Sequence, residues 1–252
     1  MTISLGIAGI TGRLGALCAD EARSASDITL TGGLARVADP GRAIVTDPGV
    51  LAAGCDVLLD VSSADAVEAV AEAAMKAGCA LVTGTTGLGP AQEAALRRAS
   101  GVIPVVRAAN FSPALNLMLL AAKMLAGRLP GFDAEIVETH HRQKRDAPSG
   151  TALAIGEAVA TGRGVRLADV MQVDRNRVRA EGEIGFASLR AGQIVGEHQL
   201  SFTDAFEQIT LGHRAFDRRL FARGALLAVR WAAGRSPGLY GMEDVVGGGF
   251  PD

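Results

Sequence analysis

The first hundred residues alternate short apolar runs with stretches of helix formers, and this alternation restricts the fold more than any other feature. Ile3–Ala8, Ile28–Leu34, Cys55–Val61, Cys79–Thr83 and Val102–Val106 read as strands. Thr11–Arg23, Ala64–Ala77 and Gly89–Ser100 read as helices between them, with Gly78 as the stop of the second. The run CDVLLDV is largely apolar, as expected of a strand covered on both faces. Strands separated by helices are joined by crossovers, which predicts a parallel sheet of βαβ units.

The pattern then changes. Pro113–Arg128 is a long apolar helix stopped by Leu129-Pro130-Gly131, and Phe132–Thr139 is strand-like. Ser149–Ala160 reads as a helix with Ser149 as its N-cap. Three runs rich in β formers follow: Glu183–Leu189, Gln193–Phe202 and Glu207–Leu211. They are too close together for crossover helices, so this part of the chain should be antiparallel or mixed. The junction Arg190-Ala191-Gly192-Gln193 reads as a hairpin turn. Arg218–Ala233 is again an amphipathic helix, placed to pack back on the first part.

Composition narrows the function classes. The 252 residues are 48% apolar and 21% charged, which suits a globular chain and excludes disorder. With 25 basic and 27 acidic residues, a nucleic-acid surface is not expected. No apolar run reaches about 18 residues, so no membrane span is expected, and MTISLGIAG reads as a strand rather than a signal peptide. Cys18, Cys55 and Cys79 form no CxxC pair, which predicts buried thiols in a reducing cytoplasm and no thiolate metal site.

Gly9-Ile10-Thr11-Gly12-Arg13-Leu14-Gly15 places GxxGxxG between the first strand and the first helix. In a chain with 32 glycines this spacing alone arises by chance about 0.5 times, so its context carries the weight. A glycine at a strand end permits a tight turn, a second lets backbone approach a pyrophosphate, and the helix start offers N–H donors. The expected fold class is therefore α/β: a Rossmann-like parallel-sheet domain for a dinucleotide, plus a second α+β domain with a mixed or antiparallel sheet. The first would comprise residues 1–112 and 219–252, and the second residues 113–218. After the second strand stands Ala35-Arg36, with no carboxylate for a ribose hydroxyl. An arginine there suits a 2′-phosphate, so NADPH is favoured over NADH, although a solvated surface arginine reads the same way. Gly84-Thr85-Thr86 and Ala109-Asn110-Phe111-Ser112 also follow strands, where ligands of open α/β sheets bind; as isolated strings they are ordinary loops.

The densest polar stretch runs from Glu138 to Thr151, ETHHRQKRDAPSGT. It holds two of the four histidines, His140 and His141, and one of only three lysines, Lys144. Cations facing a helix opened by Ser149, Gly150 and Thr151 make an anion site suited to carboxylates, and a histidine there can act near neutral pH. The bland alternatives are a solvated basic loop or a local nucleic-acid patch. Zinc is disfavoured, because no second His or Cys pair stands at ligand spacing.

Together GxxGRxG, GTTG, AANFS and ExHHxxKxDAPSGTA resemble the 4-hydroxy-tetrahydrodipicolinate reductase family over essentially the whole chain. GFASLRAGQIVGEHQLS resembles that family's second-domain strands. The resemblance implies a cytoplasmic enzyme of lysine and diaminopimelate synthesis, which passes hydride from NADPH or NADH to a conjugated cyclic imine and then protonates the product. It implies His140 as catalytic histidine and Lys144 as proton donor. His141, Lys144, Ser149, Gly150 and Thr151 would bind the small dicarboxylate. Gly9, Ile10, Thr11, Gly12, Arg13, Leu14 and Arg36, with Gly84, Thr85, Thr86, Ala109, Asn110, Phe111 and Ser112, would border the cofactor. No metal is implied; a homotetramer built through the second domain's sheet and closure of the domains on each other are.

Three departures bear on those expectations. Ala35 stands where many members carry an acid, which weakens the case for NADH. Val61-Ser62-Ser63 replaces an aromatic, Thr and Arg, so one cofactor contact could be missing. Asp174–Glu183 is shorter than usual, which touches the oligomer geometry. A silent NAD(P)-binding protein, or a reductase of another imino or oxo acid, are the competing readings, and intact His140 and Lys144 argue against the first.

Overall fold

In the computed structural model of the chain, residues 2–173 and 175–247 are described. The elements run β1 (Ile3–Ala8), α1 (Arg13–Ser24), β2 (Ile28–Leu34), a 3-10 turn (Pro40–Arg42), β3 (Ile44–Val45), α2 (Pro48–Ala52), β4 (Val57–Asp60), α3 (Ala64–Ala77), β5 (Ala80–Thr83), α4 (Pro90–Ser100) and β6 (Pro104–Arg107). They continue α5 (Pro113–Arg128), β7 (Asp133–His140), α6 (Gly150–Arg163), α7 (Leu167–Val170), β8 (Met171–Val173), β9 (Ile184–Arg190), β10 (Gly196–Thr203), β11 (Gln208–Ala215), α8 (Arg219–Ala232), β12 (Gly238–Tyr240) and α9 (Met242–Gly247). Two compact units result: Met1–Pro113 with Arg218–Asp252, and Ala114–Asp217.

The first unit holds a parallel sheet of order β12-β6-β5-β4-β1-β2-β3. Alternation along each central strand explains why both faces are covered. Val57 and Leu59 enter one core with α1 and α8, while Leu58 enters the other with α3 and α4. Each fully buried Leu or Ile contributes roughly 1.5–3 kcal/mol, so the central strands β1, β4 and β5, layered this way, anchor the sheet. The helix ends are set locally: Gly78 takes φ 70° at the end of α3, where its N–H meets the Ala74 and Met75 carbonyls.

The second unit holds a five-stranded mixed sheet of order β11-β10-β7-β9-β8. One face of β7, β9 and β10 packs on α5 and α6 through Ile136, Phe186, Leu200, Phe202, Leu115 and Ile155. The hairpin expected at Arg190–Gln193 is not formed. β9 and β10 lie on opposite sides of β7, parallel and antiparallel to it respectively. Their connection instead arches over the end of β7, held by Ala191 N–H to the His140 carbonyl at 2.9 Å and Arg142 N–H to the Gly192 carbonyl at 3.3 Å. The local turn signal was correct about the bend but carried no information on which strand fills the space between. The true hairpin joins β10 to β11, where the Asp204 carboxylate accepts from the Phe206 and Glu207 N–H groups.

Among the described residues no helix is long and apolar enough to cross a membrane.

Candidate active site

The strand order reverses between β1 and β4, and a cleft of about 680 Å³ opens at their C-terminal ends. Gly9, Thr11, Gly12, Leu34, Ala35, Arg36, Ser62 and Asp65 are among its lining residues. Gly9 takes φ 81°, and a Cβ there would lie 2.7 Å from the Val61 carbonyl oxygen and Ser62 Cα. A Cβ on Gly15 would lie 2.1 Å from the Gly9 carbonyl oxygen, so α1 can approach β1 only without a side chain at that point. Gly12 is the N-cap of α1 and supplies no side-chain cap, and the first turn carries no acid. Its uncapped N–H groups and the positive end of the helix dipole therefore fit a dinucleotide pyrophosphate.

The remaining first-unit candidates fall into three places. Ile10 is 4% exposed and fills the space left by Gly33, so it can offer a ligand only its backbone. Arg13 and Leu14 stand on the first turn of α1 and are not among the cleft-lining residues. Gly84, Thr85 and Thr86 follow β5, and Ala109, Asn110, Phe111 and Ser112 follow β6, likewise outside that lining. These two loops meet each other: a Cβ on Gly84 would lie 2.3 Å from the Phe111 ring. Asn110 Oδ1 accepts from the Ser112 N–H at 2.8 Å, closing the second loop.

Sequence reading passed over the residue that ties this region together. Asp60, 1% exposed at the end of β4, accepts from Ser62 N–H (3.1 Å) and Oγ (2.5 Å), Thr83 Oγ1 (2.9 Å) and Thr85 Oγ1 (3.0 Å). Thr85 is thus buried as an anchor, while Thr86 stays exposed. The only sequence signal was an acid ending an otherwise apolar strand.

In the second unit the polar stretch converges on one buried carboxylate. Glu138 and His140 are two residues apart on β7 and so share a face. Glu138 Oε2 meets His140 Nδ1 at 2.5 Å. Arg190, at the end of β9, donates to both Glu138 oxygens at 3.0 and 2.8 Å and to the Asp146 carbonyl at 2.6 Å. The Ser149 N–H reaches Glu138 Oε1 at 3.3 Å, and Ser149 Oγ accepts from the Ala152 N–H at 3.2 Å as the cap of α6. His198, from β10, meets Ser149 Oγ through Nε2 at 3.0 Å and stands edge-on to His140 with ring centroids 5.1 Å apart. Lys144 pairs with Asp146 at 2.8 Å. His141 is half-buried, and its Nδ1 has no hydrogen-bond partner among the described residues. Gly150 is exposed and Thr151 partly so, on a first turn without an acid.

Burial works against charge on Glu138, but the Arg190 fork and the His140 ring outweigh it and hold the carboxyl down at about 2. Burial lowers His140 while Glu138 opposes the fall, and burial together with His140 pushes His198 down to about 4. At neutral pH Glu138 is therefore ionised, and His140, when neutral, must carry its proton on Nδ1 and its lone pair on Nε2. Ligand atoms of Glu138, His140 and His198 lie within 4.8 Å of one another, a spacing a metal ion could use. Both Glu138 oxygens already serve Arg190, whose guanidinium brings the positive charge to that point. Glu138 opened the polar stretch in the sequence with no role read for it, and Arg190 and His198 arrive only through sheet pairing.

Family models described as dihydrodipicolinate reductase, N-terminus, and dihydrodipicolinate reductase, C-terminus, match residues 3–111 and 114–246. The chain is 62% identical over 242 residues to a 4-hydroxy-tetrahydrodipicolinate reductase of Gluconobacter oxydans, covering 96% of each chain. It is 51% identical over 250 residues to that of Gluconacetobacter diazotrophicus, covering 97% of each. A solved dipicolinate-bound dihydrodipicolinate reductase from Paenisporosarcina sp. shares the fold, with a TM-score of 0.82 at 24% identity over 97% of this chain and 99% of that one. The chain belongs to the dihydrodipicolinate reductase family.

Proposed function

We propose that the chain reduces 4-hydroxy-tetrahydrodipicolinate to tetrahydrodipicolinate, a step of lysine and diaminopimelate synthesis. The observation that carries this reading is that His140 at the end of β7, Lys144 on the loop after it and the start of α6 lie on one continuous stretch anchored through Glu138, in a chain whose family models span both units. It is an oxidoreductase of a family that uses a nicotinamide cofactor.

When bound, the reduced nicotinamide supplies the hydride. The β1–α1 turn from Gly9 to Leu14 holds the pyrophosphate, the Ile10 contribution being backbone. Gly84–Thr86 and Ala109–Ser112 border the nicotinamide side. Arg36, with Ala35 rather than a carboxylate beside it in the cleft, receives a 2′-phosphate, so NADPH is preferred over NADH.

In the second unit, the N–H groups of Gly150 and Thr151 and the dipole of α6 receive a substrate carboxylate, with Ser149 fixing the helix start. Lys144 balances the dianion and gives the proton that completes the reduced ring. His140 offers Nε2 as a second proton-holding atom, and His141 contacts substrate. These roles need no metal, because the cations of the loop absorb the charge that develops.

Four copies are expected to assemble through the second unit's sheet. Its face opposite α5 and α6 carries Val137 and Leu189 exposed at 37% and 54%. Free thiols at Cys18, Cys55 and Cys79 suit the cytoplasm.

The test supplies NADPH, with substrate made in situ from pyruvate and aspartate semialdehyde, and follows nicotinamide absorbance. Oxidation dependent on all components supports the reading. No oxidation with fresh substrate rejects it.

A further inference from the structure

The His140 ring is surrounded by groups from four elements. Glu138 is its neighbour on β7, Arg190 closes β9, His198 comes from β10, and Lys144, paired with Asp146, stands on the loop that follows β7. Only one of these can receive a proton from Nδ1 at hydrogen-bond distance, and that one is Glu138. The far nitrogen, Nε2, faces Gly196, where a Cβ would lie only 3.0 Å away, so the glycine leaves it uncovered. The same Glu138 carboxylate receives the Ser149 N–H at the mouth of α6, and its partner Arg190 holds the Asp146 carbonyl two residues beyond Lys144.

We propose that the Glu138–Arg190 pair is a positioning element for the reaction: it fixes His140 with Nδ1 protonated and Nε2 free, and pins the Lys144 loop and the start of α6 in register with it. The inference rests on the reductase reading for its catalytic meaning, but its structural half does not. Here a single buried carboxylate serves the catalytic histidine, a guanidinium fork and a helix N-terminus at once. A guanidinium is needed because a lysine ammonium cannot span both oxygens and the Asp146 carbonyl together.

The test compares wild type, Glu138→Gln, Arg190→Lys and His140→Asn in the intact chain. Long-range proton–nitrogen spectra of ¹⁵N-histidine-labelled protein, with His140→Asn assigning the signal, report the His140 tautomer without any turnover. The wild type should show neutral His140 as the Nδ1–H form. Glu138→Gln should lose that preference and shift the titration of His140 to lower pH, since an attractive charge has gone. Its kcat should fall at least about 100-fold, in line with other enzymes whose histidine-orienting carboxylate is removed. NADPH affinity should stay within about twofold, because that site lies in the other unit. Arg190→Lys keeps the charge but not the fork, so it should keep the tautomer and lose kcat by a smaller factor. An unchanged tautomer and titration in Glu138→Gln overturns the proposal, as does a kcat unchanged in both variants. If Glu138→Gln does not fold, Arg190→Lys decides alone: a wild-type kcat there overturns it. A wild type that fails to turn over substrate sinks the reductase reading instead, and leaves the spectra to judge the tautomer.

Discussion

The Asp60 carboxylate and the Thr85 hydroxyl, 25 residues apart and on different strands' ends, meet at 3.0 Å in a site with almost no solvent exposure. Through Asp60 the loop after β5 is joined to Ser62, which lines the cleft beside Gly9. Buried oxygens of this kind are costly to leave unpaired. Thr85→Val should cost about 1 kcal/mol, the worth of one hydrogen bond, while Asp60→Ala strands several donors and should cost more than about 3 kcal/mol. Denaturant melts check the order, and cofactor titration should show weaker binding in both variants. Equal stability of the two would contradict the shared-acceptor account.

Gly15→Ala places a Cβ within 2.1 Å of a backbone oxygen that cannot move without displacing β1. We expect a loss of roughly 1–3 kcal/mol and impaired cofactor binding, since the β1–α1 turn shifts as a whole. Gly54→Ala meets nothing within 4 Å and is the matched control. The two variants' melting temperatures should differ clearly.

Arg36→Ala should weaken NADPH much more than NADH, by about tenfold in relative kcat/KM, because the charge-assisted contact proposed for the 2′-phosphate is removed. An unchanged ratio of the two cofactors would show Arg36 to be an ordinary surface arginine.

Lys144→Ala should lower kcat by about 100-fold or more while leaving NADPH affinity nearly as it was, as expected of a group acting on the proton rather than the cofactor. Parallel loss of both quantities would refute that role.

Stability should fall on acidification in two stages. His198 has a folded pKa of about 4 against an ordinary 6.5, so the unfolded chain binds the extra proton first. Its stabilisation is complete above about pH 6.5 and is lost as pH falls toward 4; His140, also lowered, adds to the same slope. Glu138, held at about 2 against 4.5, contributes above pH 4.5 and loses that contribution as pH falls toward 2. In thermal melts across this range, His198→Gln should flatten the curve between pH 6.5 and 4 and leave the lower limb in place.

The sequence by itself determined the parallel α/β sheet, because continuous apolar strands spaced by helices have few other ways to bury both faces. It also determined the glycine turn at residues 9–15 and the chemistry-rich loop from His140 to Thr151, since both are contiguous strings whose residue types carry their own reasons. The expected strand stopped at Thr139, and it is the extension of β7 to His140 that puts this ring on the same face as Glu138. Tertiary structure alone decided that β7 lies between β9 and β10, turning an apparent hairpin at Arg190–Gln193 into an arch. A turn's residues specify how the backbone bends and say nothing of which strand wins the adjacent hydrogen bonds. That choice brings Arg190 and His198 to the Glu138–His140 pair from 50 or more residues away. In the same way, only the stacking of β4 against β5 makes Asp60 the common acceptor for Thr83 and Thr85. Contacts between distant segments depend on register and packing, which no local pattern encodes.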